Sequence, residues 1–300
     1  MKVKVGFIGL GEMGKWMALN VQQKAGFPLT VHDIRPEPVK VLVKNGAVSA
    51  ENPTEVARKT NCVLLSLPDT QVVEEVIFGV NGLVNGISPG SIVVDLSTID
   101  YLATLRIGEE LRARGATLID APVSGMEARA KEGTLAVMVG GDYDTFEKIR
   151  PILDVIGNDV VYMGKSGNGQ LTKTVNNVLY NISVAAMAEI LPMAVKMGLE
   201  PEAVCRVVTS GTGRTFALEF FTPLIMKNEF EQGYHLIEAY KDMVSAAAIS
   251  SQNQIPLPVF SAAMQTYQLA LTKGLGNENK GAMIKVWEEV LGVKVRRKAA

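Results

Sequence analysis

Lys173 and Asn177 stand four residues apart in the run Gly167-Asn168-Gly169-Gln170-Leu171-Thr172-Lys173-Thr174-Val175-Asn176-Asn177. On a helix that spacing puts both side chains on one face. A lysine can pass a proton to or from a reacting oxygen, provided its surroundings lower a free pKa of roughly 10.4. The glycine turn opens a long apolar segment that continues to Gly198, a C′ glycine. Such a helix would span roughly 42 Å at 1.5 Å per residue. Its apolar residues fall on every side, which predicts burial along much of its length. A lysine and several asparagines in that setting need a reason. The alternative is a lysine reaching solvent from a fraying helix start.

A second group of residues has a different chemistry. Gly9-Leu10-Gly11-Glu12-Met13-Gly14 follows a short apolar run at 3–8 and precedes a helical pattern from Lys15. This is G-x-G-x-x-G between strand and helix. The glycines serve a tight turn, close approach of a pyrophosphate, and close helix-strand packing. The helix N-terminus presents N–H groups and partial positive charge to phosphates. The next strand, Leu29 to His32, ends at Asp33, 33 − 14 = 19 residues past the last glycine. That is near the roughly 20 expected for a ribose-binding carboxylate. A carboxylate there repels a 2′-phosphate, and Ile34 follows where a phosphate reader would need a cation, so the pattern favours NAD over NADP. Arg35, one step later, keeps NADP open, and Asp33 also reads as a plain strand-end turn acid before Pro36.

Further candidates follow from position alone. Ligands collect outside the carboxyl ends of strands in parallel sheets. Cys62–Leu67 and Ser91–Leu96 read as buried parallel strands, which makes Leu67, Pro68, Ser97 and Thr98 candidates. Val72 and Val73 either lie under an adenine or pack as core. The stretch Asp120 to Leu135 contains Ser124-Gly125-Met126, whose hydroxyl and successive N–H groups either seat a carboxylate or form a structural turn.

These residues require alternating strands and helices first, then helices alone. Strand patterns recur at 47–49, 117–119, 135–139 and 159–162, with helical ones from Asn52-Pro53 and over 102–114 and 143–153. From Gly167 onward only helical patterns remain. The expectation is an α/β N-terminal domain at 1–165 and an all-helical domain at 166–300. Pro192 is expected to kink the long helix, and Pro201 to open the next. Gly211 to Thr215 reads as a loop in which Arg214 is an anion reader or a solvated charge. A helical run is expected from Tyr240, an extended stretch at 255–259, a helix from Met283 to Val290 stopped by Gly292, and a frayed basic tail from Val293 to Lys298.

The totals narrow the classes. The chain has 300 residues, 47% hydrophobic and 20% charged, enough for a sizeable core. Lys+Arg 30 against Asp+Glu 31 gives no electrostatic case for nucleic acid or acidic membranes. Cys62 and Cys205 read as buried thiols of a reducing compartment, and two histidines match no metal-ligand spacing, so no metal is expected. No secretory signal is visible, and the longest apolar run, near 182–195, is interrupted by Glu189. A cytoplasmic location is expected.

Four motifs now line up in order over nearly the whole chain: Gly6 to Gly14, Asp120 to Leu135, Gly167 to Asn177, and Lys241-Asp242. Together they resemble the β-hydroxyacid dehydrogenase family, which includes 3-hydroxyisobutyrate dehydrogenases and tartronate semialdehyde reductases. The resemblance implies a Rossmann-type N-terminal domain and an all-helical C-terminal domain joined by a long interdomain helix. It implies NAD(P)-dependent hydride transfer on a small 3-hydroxy acid or its semialdehyde. It assigns proton transfer to Lys173, substrate anchoring to Asn177, and the substrate carboxylate to Ser124, Gly125 and the N–H of Met126. Thr98 would face the nicotinamide side of the site, Lys241 would reach cofactor or substrate, and Leu67 and Pro68 would line the dinucleotide. A homodimer or homotetramer built through the helical domains is implied. Met126 departs from a family glycine, and Arg129 from a small residue; the plainer reading of Arg129 is a surface salt bridge. The alternatives are a catalytically inactive cofactor-binding module, whose relatives lack the lysine, and an imine reductase-like enzyme, whose proton donor is usually not lysine; Asn176 stands where 6-phosphogluconate dehydrogenases carry a histidine.

Overall fold

The computed structural model describes residues 3–297. Lys298, the last residue of the expected basic tail, lies outside them. Contacts divide the chain into one unit ending at Lys173 and another beginning at Thr174.

The first unit holds a nine-stranded sheet. Its strands are β1 (Val5–Ile8), β2 (Leu29–His32), β3 (Val48–Ser49), β4 (Cys62–Leu65), β5 (Ile92–Asp95), β6 (Thr117–Asp120), β7 (Val123–Ser124), β8 (Leu135–Gly140) and β9 (Gly157–Gly164). The order is β3-β2-β1-β4-β5-β6-β8-β7, with β9 also on β8. From β3 to β6 every pairing is parallel; β8 is antiparallel to β6 and β7, and β9 is parallel to β8. The chain therefore reverses its winding between β1 and β4, where doubly wound sheets open a crevice.

Burial explains why these strands form. All four residues of β1 and of β4 are buried, as expected for strands covered on both faces. Alternate residues serve opposite faces. Phe7 and Leu64 join one apolar cluster with Met17 and Ile119, while Ile8 and Leu65 join another with Ile77 and Ile107.

The covering helices are α1 (Gly14–Lys24), α2 (Pro36–Lys44), α3 (Pro53–Lys59), α4 (Thr70–Phe78), α5 (Tyr101–Ala113), α6 (Met126–Glu132) and α7 (Tyr143–Leu153). Side-chain caps mark several starts: Asn52 accepts from Glu55 N, Asp69 from Val72 N, Asp100 from Leu102 N and Asp142 from Thr145 N. Three of these helices were not expected. α2 begins with Pro36 at its first turn, a position where proline's missing N–H costs nothing. α4 follows the Asp69 cap. α6 and the short β7 occupy what the sequence reads as one loop.

The long helix α8 (Asn168–Lys196) carries the chain across the division and continues through Pro192. It is long and apolar enough to cross a membrane by length and composition, contrary to the expectation, although 44% of its most apolar window is buried inside the protein. The second unit adds α9 (Pro201–Ser210), α10 (Phe216–Lys227), α11 (Leu236–Gln252), α12 (Pro258–Thr272), a 3-10 turn at Lys280–Met283, and α13 (Ile284–Leu291), which Gly292 ends in the left-handed conformation. Here α10 was unforeseen, α11 begins at Leu236 rather than Tyr240, and Pro258, expected in an extended stretch, opens α12. Arg214 is largely exposed and pairs with Glu219. The tail is not frayed over its described part. Val295 is fully buried, Arg296 pairs with the buried Glu288, and Arg297 pairs with Glu202.

Candidate active site

The Gly9–Gly14 turn forms because its glycines have no side chains. Gly9 has φ +90, and a Cβ there would collide with the Ser66 carbonyl; one on Gly14 would collide with the Gly9 carbonyl. Gly11 differs. The nearest atom to its hypothetical Cβ is Arg35 Nη2 at 3.7 Å, so its outer side is open. Two glycines thus serve packing and the third leaves the cradle a pyrophosphate needs. Glu12 is exposed, Met13 is half-buried, and Met13 precedes α1 without a side-chain cap; Lys15 N donates to Gly11 O and Trp16 N to Met13 O, each at 3.2 Å, so the turn winds directly into the helix. The residues present fit a dinucleotide.

Asp33 ends β2 beside this turn. One carboxylate oxygen accepts from Leu10 N at 2.6 Å, and the other from Arg35 N at 2.8 Å and Arg35 Nε at 3.2 Å. Burial pushes its pKa up, but the Arg35 side chain and the Arg35 and Leu10 amides outweigh that and hold it below the usual value. Ile34 is 93% exposed beside it. On the other side of the crevice, Leu67 N donates to Ser97 Oγ at 2.9 Å, and Pro68 is exposed. Val72 and Thr98 are half-buried, whereas Val73 is fully buried in the core.

Two buried acids lie at the strand ends, and one of them organises the start of α8. Asp95 and Asp120 are register partners at the ends of β5 and β6. Asp120 accepts from Gly167 N at 2.7 Å and Gln170 N at 3.0 Å, so a strand-end carboxylate caps the helix that carries Lys173. Burial raises its pKa to about 6, against the opposing pull of these amides. Burial raises Asp95 to about 7; the Ser97 bonds oppose the rise and the neighbouring Asp120 charge adds to it. Gln170, 1% exposed, adds a second tie. Its amide donates to Ser97 O at 2.7 Å and accepts from Ile99 N at 3.2 Å. Acids at the carboxyl ends of two neighbouring strands were a readable signal; the reach of Gln170 across 73 residues was not.

Lys173 is half-buried in the second turn of α8, on the same face as Asn177. Asn177 Nδ2 donates to Asp242 Oδ2 at 2.8 Å, and its Oδ1 accepts from Asn176 at 3.0 Å. The lysine-aspartate pair on α11 therefore divides. Asp242 faces Asn177, whereas Lys241 is exposed and pairs with Glu238 at 3.0 Å.

Ser124 and Gly125 are half-buried at the end of β7. Gly125 has φ +145, and Met126, although not a glycine, has φ +63. The chain keeps a glycine-type turn here with a methionine in it, which costs on the order of 1 kcal/mol or more. Glu127 ties this turn to the dinucleotide loop's helix, accepting from Trp16 Nε1 at 2.7 Å and from Lys15 Nζ at 3.1 Å. Hydrogen bonds from Trp16 and Lys15 hold Glu127 below the usual carboxylate range. Arg129 makes no salt bridge among the described residues, contrary to the plainer reading; its guanidinium reaches Asn158 Oδ1 at 3.4 Å, and Asn158 is exposed and uncharged.

A winding reversal beside an open glycine cradle defines a dinucleotide-binding protein, and the comparisons with known proteins agree. Residues 4–164 match the model for the NAD binding domain of 6-phosphogluconate dehydrogenase. Residues 167–287 match the NAD-binding domain of NADP-dependent 3-hydroxyisobutyrate dehydrogenase. The chain is 37% identical over 294 residues to 2-(hydroxymethyl)glutarate dehydrogenase of Eubacterium barkeri, covering 98% of this chain and 97% of that one. It is 32% identical over 286 residues to 2-hydroxy-3-oxopropionate reductase of Escherichia coli strain K12, covering 95% and 97%. A crystal structure of 3-hydroxyisobutyrate dehydrogenase from Salmonella typhimurium superimposes with a TM-score of 0.85 at 27% identity, covering 95% and 99%. The chain belongs to the β-hydroxyacid dehydrogenase family of NAD(P)-dependent oxidoreductases.

Proposed function

We propose that the protein interconverts a small 3-hydroxy acid and its semialdehyde, with Lys173 as general acid and base. The observation that carries this reading is the fixed start of α8: Asp120 and Gln170 hold the turn before Lys173 against the carboxyl ends of β5 and β6. A bound nicotinamide supplies or accepts the hydride. The chain's residues do the rest. Lys173 takes the hydroxyl proton in oxidation and returns it in reduction. Ser124 Oγ and the N–H groups of Gly125 and Met126 hold the substrate carboxylate, and Asn177, oriented by Asp242, holds the hydroxyl region. Thr98, Leu67, Pro68, Val72 and Lys241 complete the surroundings of the cofactor and substrate.

The relatives support the substrate class. Both 2-(hydroxymethyl)glutarate and 2-hydroxy-3-oxopropionate carry the reacting oxygen on the carbon β to a carboxylate. NAD is the favoured cofactor, because Asp33 places a carboxylate where NADP would bring a 2′-phosphate. The physiological unit is an assembly of two or four copies joined through the exposed side of α8.

The test is Lys173→Ala, assayed on a panel of 3-hydroxy acids and semialdehydes with NAD(H) and NADP(H) separately. Turnover is expected to fall by about two to four orders of magnitude with cofactor affinity retained. A loss smaller than tenfold ends the assignment of the proton to Lys173.

A further inference from the structure

Lys280 is a full-length lysine inside the helical unit, 2% exposed, in the 3-10 turn at Lys280–Met283. An ammonium in such a place is costly to desolvate. The fold nevertheless holds it firmly. Asn279 N donates to Phe230 O at 2.7 Å, Asn279 Nδ2 to Gln232 O at 2.8 Å, and Lys280 N to Tyr234 O at 3.3 Å. The ammonium lies 3.5 Å from the Tyr180 ring centroid and 5.6 Å from that of Tyr234, a placement favourable to a cation. It donates to Asn181 Oδ1 at 2.9 Å.

Asn181 gives this contact its meaning. It follows Lys173 and Asn177 on α8 at intervals of four, so the three share one face. Its amide bridges two elements: Oδ1 meets Lys280, and Nδ2 donates to Ala239 O on α11 at 3.3 Å. One turn earlier, Asn177 donates to Asp242, three residues beyond Ala239 on the same helix. An asparagine amide can sit in either of two flipped orientations, and its neighbours decide which. An ammonium has only donors, so it can donate to the amide's carbonyl oxygen but not pair with its NH2. That choice turns the NH2 of Asn181 toward Ala239 O and fixes the pairing of α8 with α11.

We propose that Lys280 is a positioning residue for the reaction: by setting the orientation of the Asn181 amide it holds α8 on α11 in the register that places Asn177 against Asp242. This rests on the proposed role of the Lys173–Asn177 face. A residue present only for packing would affect stability and activity together. A positioning ammonium, being costly to bury, separates them.

The experiment compares Lys280→Met and Asn181→Leu with the full-length protein, measuring Tm, cofactor Kd, and kcat and KM on the best substrate of the panel. Lys280→Met relieves the desolvation of the ammonium but takes a donor from Asn181 Oδ1, so it is expected to move Tm by no more than a few degrees, leave cofactor Kd within twofold, and lower kcat/KM at least tenfold. The double variant is expected to lose little more than either single one, because both remove one device. Lys280→Met with kcat/KM within twofold of the parent overturns the proposal. So does a loss matched by a fall in Tm and in cofactor affinity, or a double variant whose losses multiply. If Lys280→Met does not fold, Asn181→Leu decides alone: parental kcat/KM refutes the idea, and a tenfold loss at unchanged Tm and cofactor Kd supports it. A parent protein inactive on every substrate refutes the proposed function instead.

Discussion

Single residues at the site carry costs that ordinary packing does not explain. Met126 holds φ +63 in the turn that ends in Ser124-Gly125-Met126, with its side chain 44% exposed. Strain of that kind gathers at functional sites. Replacing Met126 by glycine removes roughly 1 kcal/mol of strain, so Tm should hold or rise by about 2 °C by thermal denaturation. A fall of several degrees would show that the methionine side chain stabilises the turn. Asp95 holds a different cost. One of its carboxylate oxygens is buried without a hydrogen-bond partner among the described residues, and its pKa rises from 3.8 to about 7. The folded chain therefore keeps this proton over a range where the unfolded chain has lost it. Stability from this group is full below about pH 4 and is lost as pH rises to about 7, by an amount on the order of a few kcal/mol. Asp120 acts in the same sense up to about pH 6. Tm measured between pH 4.5 and 8 should fall with pH in the parent, and Asp95→Asn should remove the part of that slope nearest neutrality.

At the scale of elements, the start of α8 depends on a residue far away in sequence. Asp120 satisfies two N–H groups that a helix start leaves unpaired. Asp120→Ala exposes them to a dry interior at a cost of roughly 1–3 kcal/mol each. Tm should drop, and kcat should drop further than the Tm change accounts for, because the loosened turn immediately precedes Lys173. Equal activity per folded molecule would detach the cap from the chemistry. Much at this scale was readable. β2 and α7 match their sequence patterns residue for residue, because a short apolar run between turn residues and a capped amphipathic segment carry their limits locally. α6 was missed: Met126–Glu132 has no side-chain cap, and its start depends on a positive φ that methionine seldom adopts. α12 was missed because Pro258 suggested extension, although proline is equally at home in a first helical turn.

Over the whole molecule, α8 presents an apolar line that the chain itself leaves uncovered. Val175, Leu179, Ile190 and Met193 on α8, and Met197 just past its end, are 54%, 62%, 55%, 49% and 77% exposed. Their spacing keeps them near one side of the helix. Such a line marks an interaction surface, and the proposed assembly covers it. Light scattering should report a multiple of 32.3 kDa for the parent and a smaller assembly for Ile190→Glu. An unchanged mass for Ile190→Glu would move the contact elsewhere.

Local rules were enough for the dinucleotide turn, the parallel strands and the shared face of Lys173 and Asn177. Each depends on spacing along one segment: glycines that must lack a Cβ, apolar runs that must be buried, and a helical repeat. The caps and ties came only with the tertiary structure. Asp120 meets Gly167, Gln170 meets Ser97, and Lys280 meets Asn181 across 47, 73 and 99 residues. A buried polar group must find a partner, but nothing in its own neighbourhood of sequence says which. Folding alone decides that pairing, because only there do water's competing hydrogen bonds disappear.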